Sequence, residues 1–184
     1  MYLLPTLNLA LAAGSLALLA VTLVLYYDLF ITKTRRFAPY VEQWFWHITL
    51  ALTIGSVVLS LVYSEYFGFI PCSLCWLQRI AIYPQALMAI AAFRIRDAKQ
   101  FPYYGIWLSL FGLLVAIYQY IYQMLPKETQ SGFVPCLVDG SGADCAVKVI
   151  DEFGFVTFPF VSAVSFAFLI ALYLYMRRAH MAKE

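Results

Sequence analysis

Long apolar runs separated by short polar connections set the pattern of this chain. Five stretches, about Leu3–Ile31, Trp44–Phe67, Leu74–Phe93, Tyr103–Leu125 and Phe155–Met176, approach or exceed the length of a spanning helix, for which roughly 20 residues suffice. Trp44, Trp46, Tyr66, Phe67, Tyr103 and Tyr104 fall at the ends of these stretches, where aromatic side chains settle at a membrane interface. No periodic repeat or low-complexity segment interrupts the pattern. The expected fold is an all-α integral membrane protein: a four-helix transmembrane bundle with one additional N-terminal transmembrane helix. In residue numbers, 1–32 form the extra helix, 33–43 a cytoplasmic loop, 44–176 the bundle with an outer cysteine loop at 126–154, and 177–184 a cytoplasmic tail.

Composition agrees with this reading. The chain is 64% hydrophobic and 12% charged, whereas soluble domains carry about 25% charged residues. Its net charge of +2 comes with no basic stripe of the kind that binds nucleic acid. The basic residues gather in threes: Lys33, Arg35 and Arg36; Arg94, Arg96 and Lys99; Arg177, Arg178 and Lys183. Nine of the twelve Lys and Arg residues thus lie in alternate connections, which the positive-inside rule assigns to the cytoplasm. The connections at about 68–73 and 126–154 then face outward, the second carrying Glu128, Asp139, Asp144, Asp151 and Glu152. The first stretch lacks a basic segment ahead of it and has its positive cluster behind, as in a retained anchor with an outside N-terminus rather than a cleaved leader.

All four cysteines belong to the outer connections. Cys72 and Cys75 stand at the mouth of the third stretch, and Cys136 and Cys145 in the acidic loop. Disulfides persist outside a bacterial membrane or inside a secretory lumen. A bridge between Cys136 and Cys145 would close a ring of ten residues and contribute about 2.7 kcal/mol by chain entropy, so this pair reads equally as a staple or as reactive. Cys72-x-x-Cys75 closes too small a ring to restrain anything and has the spacing of dithiols that open and close. Pro71 favours the first turn of a helix, which places both thiols near a helix N-terminus, where the macrodipole stabilises a thiolate.

Arg79 lies on the same helix face as these cysteines, the three spaced i, i+3, i+7. An arginine inside an apolar span costs at least about 2.5 kcal/mol on insertion scales and marks a functional site by default. It can act as a fixed positive charge behind Cys75 and as a donor to a polar head group, or its side chain can snorkel to the interface. Zinc or copper held by the four thiolates is disfavoured by the second spacing and by the absence of outer histidines or Met-rich segments. His47 and His180 fall on the cytoplasmic side, and Asp28 and Glu65 stand singly at stretch ends, as interfacial residues do. Pro84 is expected to kink the third stretch. After Cys145, the positions Ala146, Val149, Ile150 and Phe153 recur at helical spacing. They predict a short amphipathic helix, capped by Asp144, lying on the outer leaflet.

The segment "PCSLCWLQRIAIYP" (Pro71–Pro84) resembles the first motif of the DsbB family of disulfide-generating membrane oxidoreductases, especially the short BdbC-like type. "VPCLVDGSGADCAVKVIDEFGFVTFPFVS" (Val134–Ser162) is similar to that family's second cysteine loop and the start of its last helix. Cys-x-x-Cys alone is a weak signal; joined to Gln78-Arg79 and a second outer pair it is specific, and the likeness spans about Trp44 to Met176. It implies a four-helix bundle that reoxidises a soluble thioredoxin-like dithiol oxidase of the DsbA or BdbD type and passes two electrons to ubiquinone or menaquinone, a protein-disulfide:quinone oxidoreductase. By the same resemblance, Cys72 and Cys75 form the disulfide that reduces quinone, with Cys75 against the ring and Arg79 binding the head group. Cys136 forms the mixed disulfide with the partner, and Cys145 is its internal mate. The extra N-terminal stretch and the eight residues between Cys136 and Cys145 depart from the family pattern. Rival readings are a vitamin K epoxide reductase-like enzyme, a transmembrane reductant carrier, which needs cytoplasmic thiols, and a disulfide-stapled scaffold without redox activity.

Overall fold

A computed structural model describes residues 3–34, 36–125 and 144–181. Five long helices account for most of them. Helix α1 covers Leu3–Tyr27 and ends in a π-helical turn at Asp28–Thr32; α2 covers Ala38–Leu61 and ends in a second π turn at Val62–Tyr66. Helices α3 (Ser73–Ile95), α4 (Phe101–Met124) and α5 (Phe158–Met181) complete the bundle. Four of the five, all but α3, are both long and apolar enough to cross a membrane, and the chain is a multi-pass membrane protein. Helix α3 has the length but a more polar composition, because Gln78, Arg79 and Gln85 are turned into the bundle and buried.

Helix α5 is the centre of the packing, with α4, α1 and α2 against it, while α3 closes the bundle between α2 and α4. Leu169, Leu172 and Tyr173 of α5 are almost wholly buried, as is Phe45 of α2. The outward faces carry Leu23, Val58, Leu87, Leu114 and other large apolar side chains exposed to the surroundings, the expected arrangement for helices whose solvent is lipid. The interior is tied by polar contacts: Gln85 Nε2 donates to Ser109 Oγ at 3.0 Å, and Tyr173 Oη donates to Gln85 Oε1 at 3.2 Å, joining α3, α4 and α5.

Several expectations need correction. Helix α2 begins at Ala38, not near Trp44, because Pro39 in its first turn fits a helix start and the aromatic residues then lie within the helix. Pro84 lies inside a continuous α3, which is compatible with the kink expected there. Asp28 is not an isolated interfacial carboxylate: it is buried and accepts from Thr32, Thr34 (2.6 Å) and the Tyr175 hydroxyl (2.7 Å). Glu65 is exposed and accepts only from Ser64, at 3.0 Å, among the described residues.

The amphipathic helix expected after Cys145 does not form. Residues 144–150 take an irregular path that leads into an antiparallel hairpin, β1 (Asp151–Glu152) with β2 (Val156–Thr157). Two turns of isolated helix are too short to sustain themselves, and local chemistry offers alternatives. Asp144 Oδ1 does accept a backbone N–H, that of Ala146 at 2.8 Å, but it closes a turn. Phe153 and Gly154 take positive φ, +56° and +77°, which turns the chain within a three-residue connection. The apolar positions read as a helix face are used differently: Ile150 is fully buried while Phe153 projects outward.

Candidate functional site

The thiol pair is built into the start of α3. Cys72 is the N-cap, with extended backbone (φ −71°, ψ 170°), and its sulfur accepts from the Cys75 amide at 3.4 Å. Pro71 therefore precedes the cap instead of occupying the first turn. Its ring fixes the entry of the chain and leaves Cys72 free to cap. The arrangement brings the Sγ atoms of Cys72 and Cys75 to 2.9 Å, as two free thiols in contact. Cys72 is buried and Cys75 partly so.

Two layers of amides lie beneath the sulfurs. Gln119 of α4 donates from Nε2 to Cys72 Sγ (3.4 Å) and Cys75 Sγ (3.5 Å), and its Oε1 accepts from Gln78 Nε2 at 2.6 Å. One turn deeper on α3, the Arg79 guanidinium is bonded to α2. Its Nε donates to Ser60 Oγ at 2.8 Å and its Nη2 to the Ser60 carbonyl at 2.9 Å, next to the π turn that ends α2. The guanidinium also packs over Trp76 and Tyr83, 5.0 and 5.9 Å from their ring centroids. Arg79 is thus buried and fixed within the bundle. Its Nη1 has no hydrogen-bond partner among the described residues.

A cavity of about 230 Å³ opens beside these groups, lined by Cys75, Arg79 and Ser60 and by apolar side chains such as Leu59, Ile82 and Phe166. Mostly apolar walls with a few convergent polar groups are the make-up of a small-molecule site. The donor set suits a flat apolar ring bearing carbonyl oxygens: a spare guanidinium N–H, a serine hydroxyl, and a thiol at the rim.

The segment bearing Cys145 closes the thiol end of the bundle. Gln123 Nε2, one turn beyond Gln119 on α4, donates to the carbonyls of Cys145 (3.0 Å) and Val147 (3.3 Å). Cys145 Sγ lies 3.8 Å from Ser73 Oγ, and its side chain packs in one buried cluster with Cys72, Leu74 and Tyr122. Cys145 is disulfide-bonded. Cys136, its expected mate, lies outside the described residues.

Of the residues singled out from sequence, Cys72, Cys75, Arg79 and Cys145 therefore converge at one end of the bundle. Gln119, Gln123 and Ser60 were not singled out. The signal for the two glutamines is that a side-chain amide within an apolar span needs an interhelical partner.

Comparison with known proteins places these residues in a wider context. Residues 42–176 match the family model described as "Disulfide bond formation protein DsbB". The chain is 35% identical over 133 residues, 72% of its length, to the SPbeta prophage-derived disulfide bond formation protein B of Bacillus subtilis, of which 84% is covered. It is 36% identical over 126 residues to disulfide bond formation protein C of the same organism, covering 68% of this chain and 83% of that protein. A probable disulfide formation protein of Coxiella burnetii is 36% identical over 148 residues, 76% of this chain and 92% of that one. No solved structure matches the chain. The matched family region contains α2 from Glu42 onward, α3, α4 and most of α5, and leaves α1 outside.

Proposed function

The chain belongs to the DsbB family of disulfide bond formation proteins, and we propose that it is a quinone-dependent thiol oxidase of a bacterial cytoplasmic membrane. Its substrate is the reduced dithiol of a soluble thioredoxin-like oxidase outside the membrane. The thiols face outward, the N-terminus is outside and the C-terminus inside. Within the family it is a short, BdbC-like member, the type its two cysteine motifs resemble.

In this reading the partner's thiolate attacks Cys136 and releases Cys145. The partner's second thiolate then breaks that mixed disulfide and leaves oxidised. Cys145 attacks the Cys72–Cys75 disulfide at Cys72, releasing Cys75 as thiolate, and Cys136 resolves the new bond. The loop pair is oxidised again and the membrane pair carries both electrons. Each step exchanges one S–S bond for another and is driven by the thiolate fraction of the attacking sulfur. Gln119 steadies both membrane sulfurs, while Arg79 and Ser60 hold the head group of the acceptor. When bound in the cavity, a quinone supplies the two-electron sink that a cycle of thiol exchange otherwise lacks.

The observation that carries this reading is the convergence of the 2.9 Å thiol pair, the buried Arg79 and the Cys145 segment around one apolar cavity. A disulfide-stapled scaffold would give no reason for a buried guanidinium and an apolar cavity beside the Cys72/Cys75 pair. The test is anaerobic quinone reduction by the purified full chain, supplied with a reduced thioredoxin-like dithiol. Cys75→Ser abolishes turnover. Arg79→Ala raises the apparent KM for quinone at least about tenfold, the scale of losing a hydrogen bond to a charged donor, and Arg79→Lys falls between. A wild-type protein that reduces neither ubiquinone nor menaquinone would refute the proposal.

A further inference from the structure

Helix α1 lies outside the region that matches the family, yet it reaches the site. Near its outer end, the buried Asn8 sits with its amide between two elements of the bundle. Its Nδ2 donates to the Val149 carbonyl at 3.1 Å, and its Oδ1 accepts from the Tyr63 hydroxyl at 2.5 Å. Val149 belongs to the irregular segment that begins with Asp144 and Cys145, and Tyr63 belongs to the π turn that ends α2, just after Ser60. One turn along, Leu11 forms part of the cavity wall. An asparagine on an otherwise apolar span is costly in lipid unless its amide is satisfied within the protein, and here both ends of the amide are used.

The segment carrying Cys145 has little regular structure of its own, so side chains hold it in place. Gln123 of α4 grips it at the Cys145 and Val147 carbonyls, and Asn8 of α1 grips it at the Val149 carbonyl. At the Gln123 end of the stretch held by these two attachments, the Cys145 sulfur lies 3.8 Å from Ser73 Oγ, beside the membrane pair.

We propose that α1 is a working part of the exchange site and that Asn8 is a positioning residue, holding the Cys145 segment where its sulfur meets the Cys72–Cys75 pair. This rests on the functional reading above, in which Cys145 and Cys72 exchange. The alternative is that α1 merely adds apolar surface to the bundle, in which case Asn8 affects stability and not thiol encounter.

A trapping experiment separates the two without quinone or partner. In the full chain carrying Cys75→Ser and Cys136→Ser, Cys72 and Cys145 remain, and a mild oxidant can join them by removing two electrons and two protons. Bridge formation is followed by loss of alkylation and by gel mobility, alongside the thermal transition. With Asn8 intact the bridge closes readily. Asn8→Ala slows closure about tenfold, the scale of the two hydrogen bonds lost, and Tyr63→Phe, which keeps the ring but frees one side of the Asn8 amide, slows it by a smaller factor. Unchanged closure in Asn8→Ala overturns the proposal. Should Asn8→Ala fail to fold, Tyr63→Phe decides by the same criterion. If the bridge does not form even with Asn8 and Tyr63 present, the Cys145-to-Cys72 exchange itself is at fault, an outcome that refutes the proposal through the reading beneath it.

Discussion

Gln119 is the point at which the thiol pair and the polar interior of α3 meet. It donates to both sulfurs and accepts from Gln78, so removing it affects more than one contact. Gln119→Leu strands the Gln78 amide donor in a buried setting, which costs about 1–3 kcal/mol. Replacing both partners by leucine removes the stranded group, and the double variant is expected to lose about 1–2 kcal/mol less than the sum of the singles. Equilibrium unfolding in mixed micelles measures this directly, and strict additivity would show that the two amides do not interact. Cys72, Cys75 and Arg79 were legible in sequence because they are rare chemistry for a span and stand on one helix at helical spacing. The Gln78–Gln119 pair joins residues 41 positions apart, and no periodicity within a single helix reveals such a partner.

At the scale of elements, the closeness of α4 to α5 depends on small residues. An added Cβ at Gly105 would lie 2.6 Å from Tyr173 Cε2, and one at Gly112 would overlap the Phe166 ring. With Ser109 between them, these residues form a stripe along α4 that lets large rings of α5 reach the helix backbone. Gly105→Ala and Gly112→Ala are each expected to destabilise the bundle by about 1–3 kcal/mol through overpacking. Gly14→Ala in α1, where a Cβ meets nothing within 4 Å, is expected to be neutral or stabilising by up to about 1 kcal/mol from helix propensity alone. The same micelle unfolding assay compares them, and an equal response at all three positions would refute the packing argument. Hydropathy located all five helices, because length and apolarity are properties of each segment taken alone. It misjudged the start of α2, where Pro39 and not the aromatic belt sets the boundary, and the path after Cys145. There a helical spacing over two turns was outweighed by the left-handed backbone at Phe153 and Gly154 and by side chains from α1 and α4 that claim the segment's carbonyls.

For the whole molecule, the alternation of helices sorts chemistry to opposite ends. Arg178 donates to the Leu29 carbonyl at 2.7 Å and Arg177 packs 5.1 Å over the ring of Tyr103, so the basic end of α5 meets the end of α1 and the start of α4. Trp46 packs on Phe93 and Phe101, bringing the start of α2 and the α3–α4 connection to the same end. The thiols, Arg79 and the hairpin occupy the other. The bundle geometry is the same whichever way it is inserted, so orientation depends on the Lys and Arg clusters, whose retention in the cytoplasm the positive-inside rule describes. That orientation is essential to the proposed chemistry, since a cytosolic thiol pair would be held reduced by the glutathione pool and could not serve as an oxidant. In a full chain with Cys72→Ser, Cys75→Ser, Cys136→Ser and Cys145→Ser, a single new thiol reports its side. Asp151→Cys, on the exposed hairpin, is expected to react with an impermeant maleimide in intact cells, and Lys99→Cys, between α3 and α4, only after the membrane is opened. The reverse labelling would put the cysteine end in the cytosol and exclude an oxidase that serves proteins outside the cell membrane.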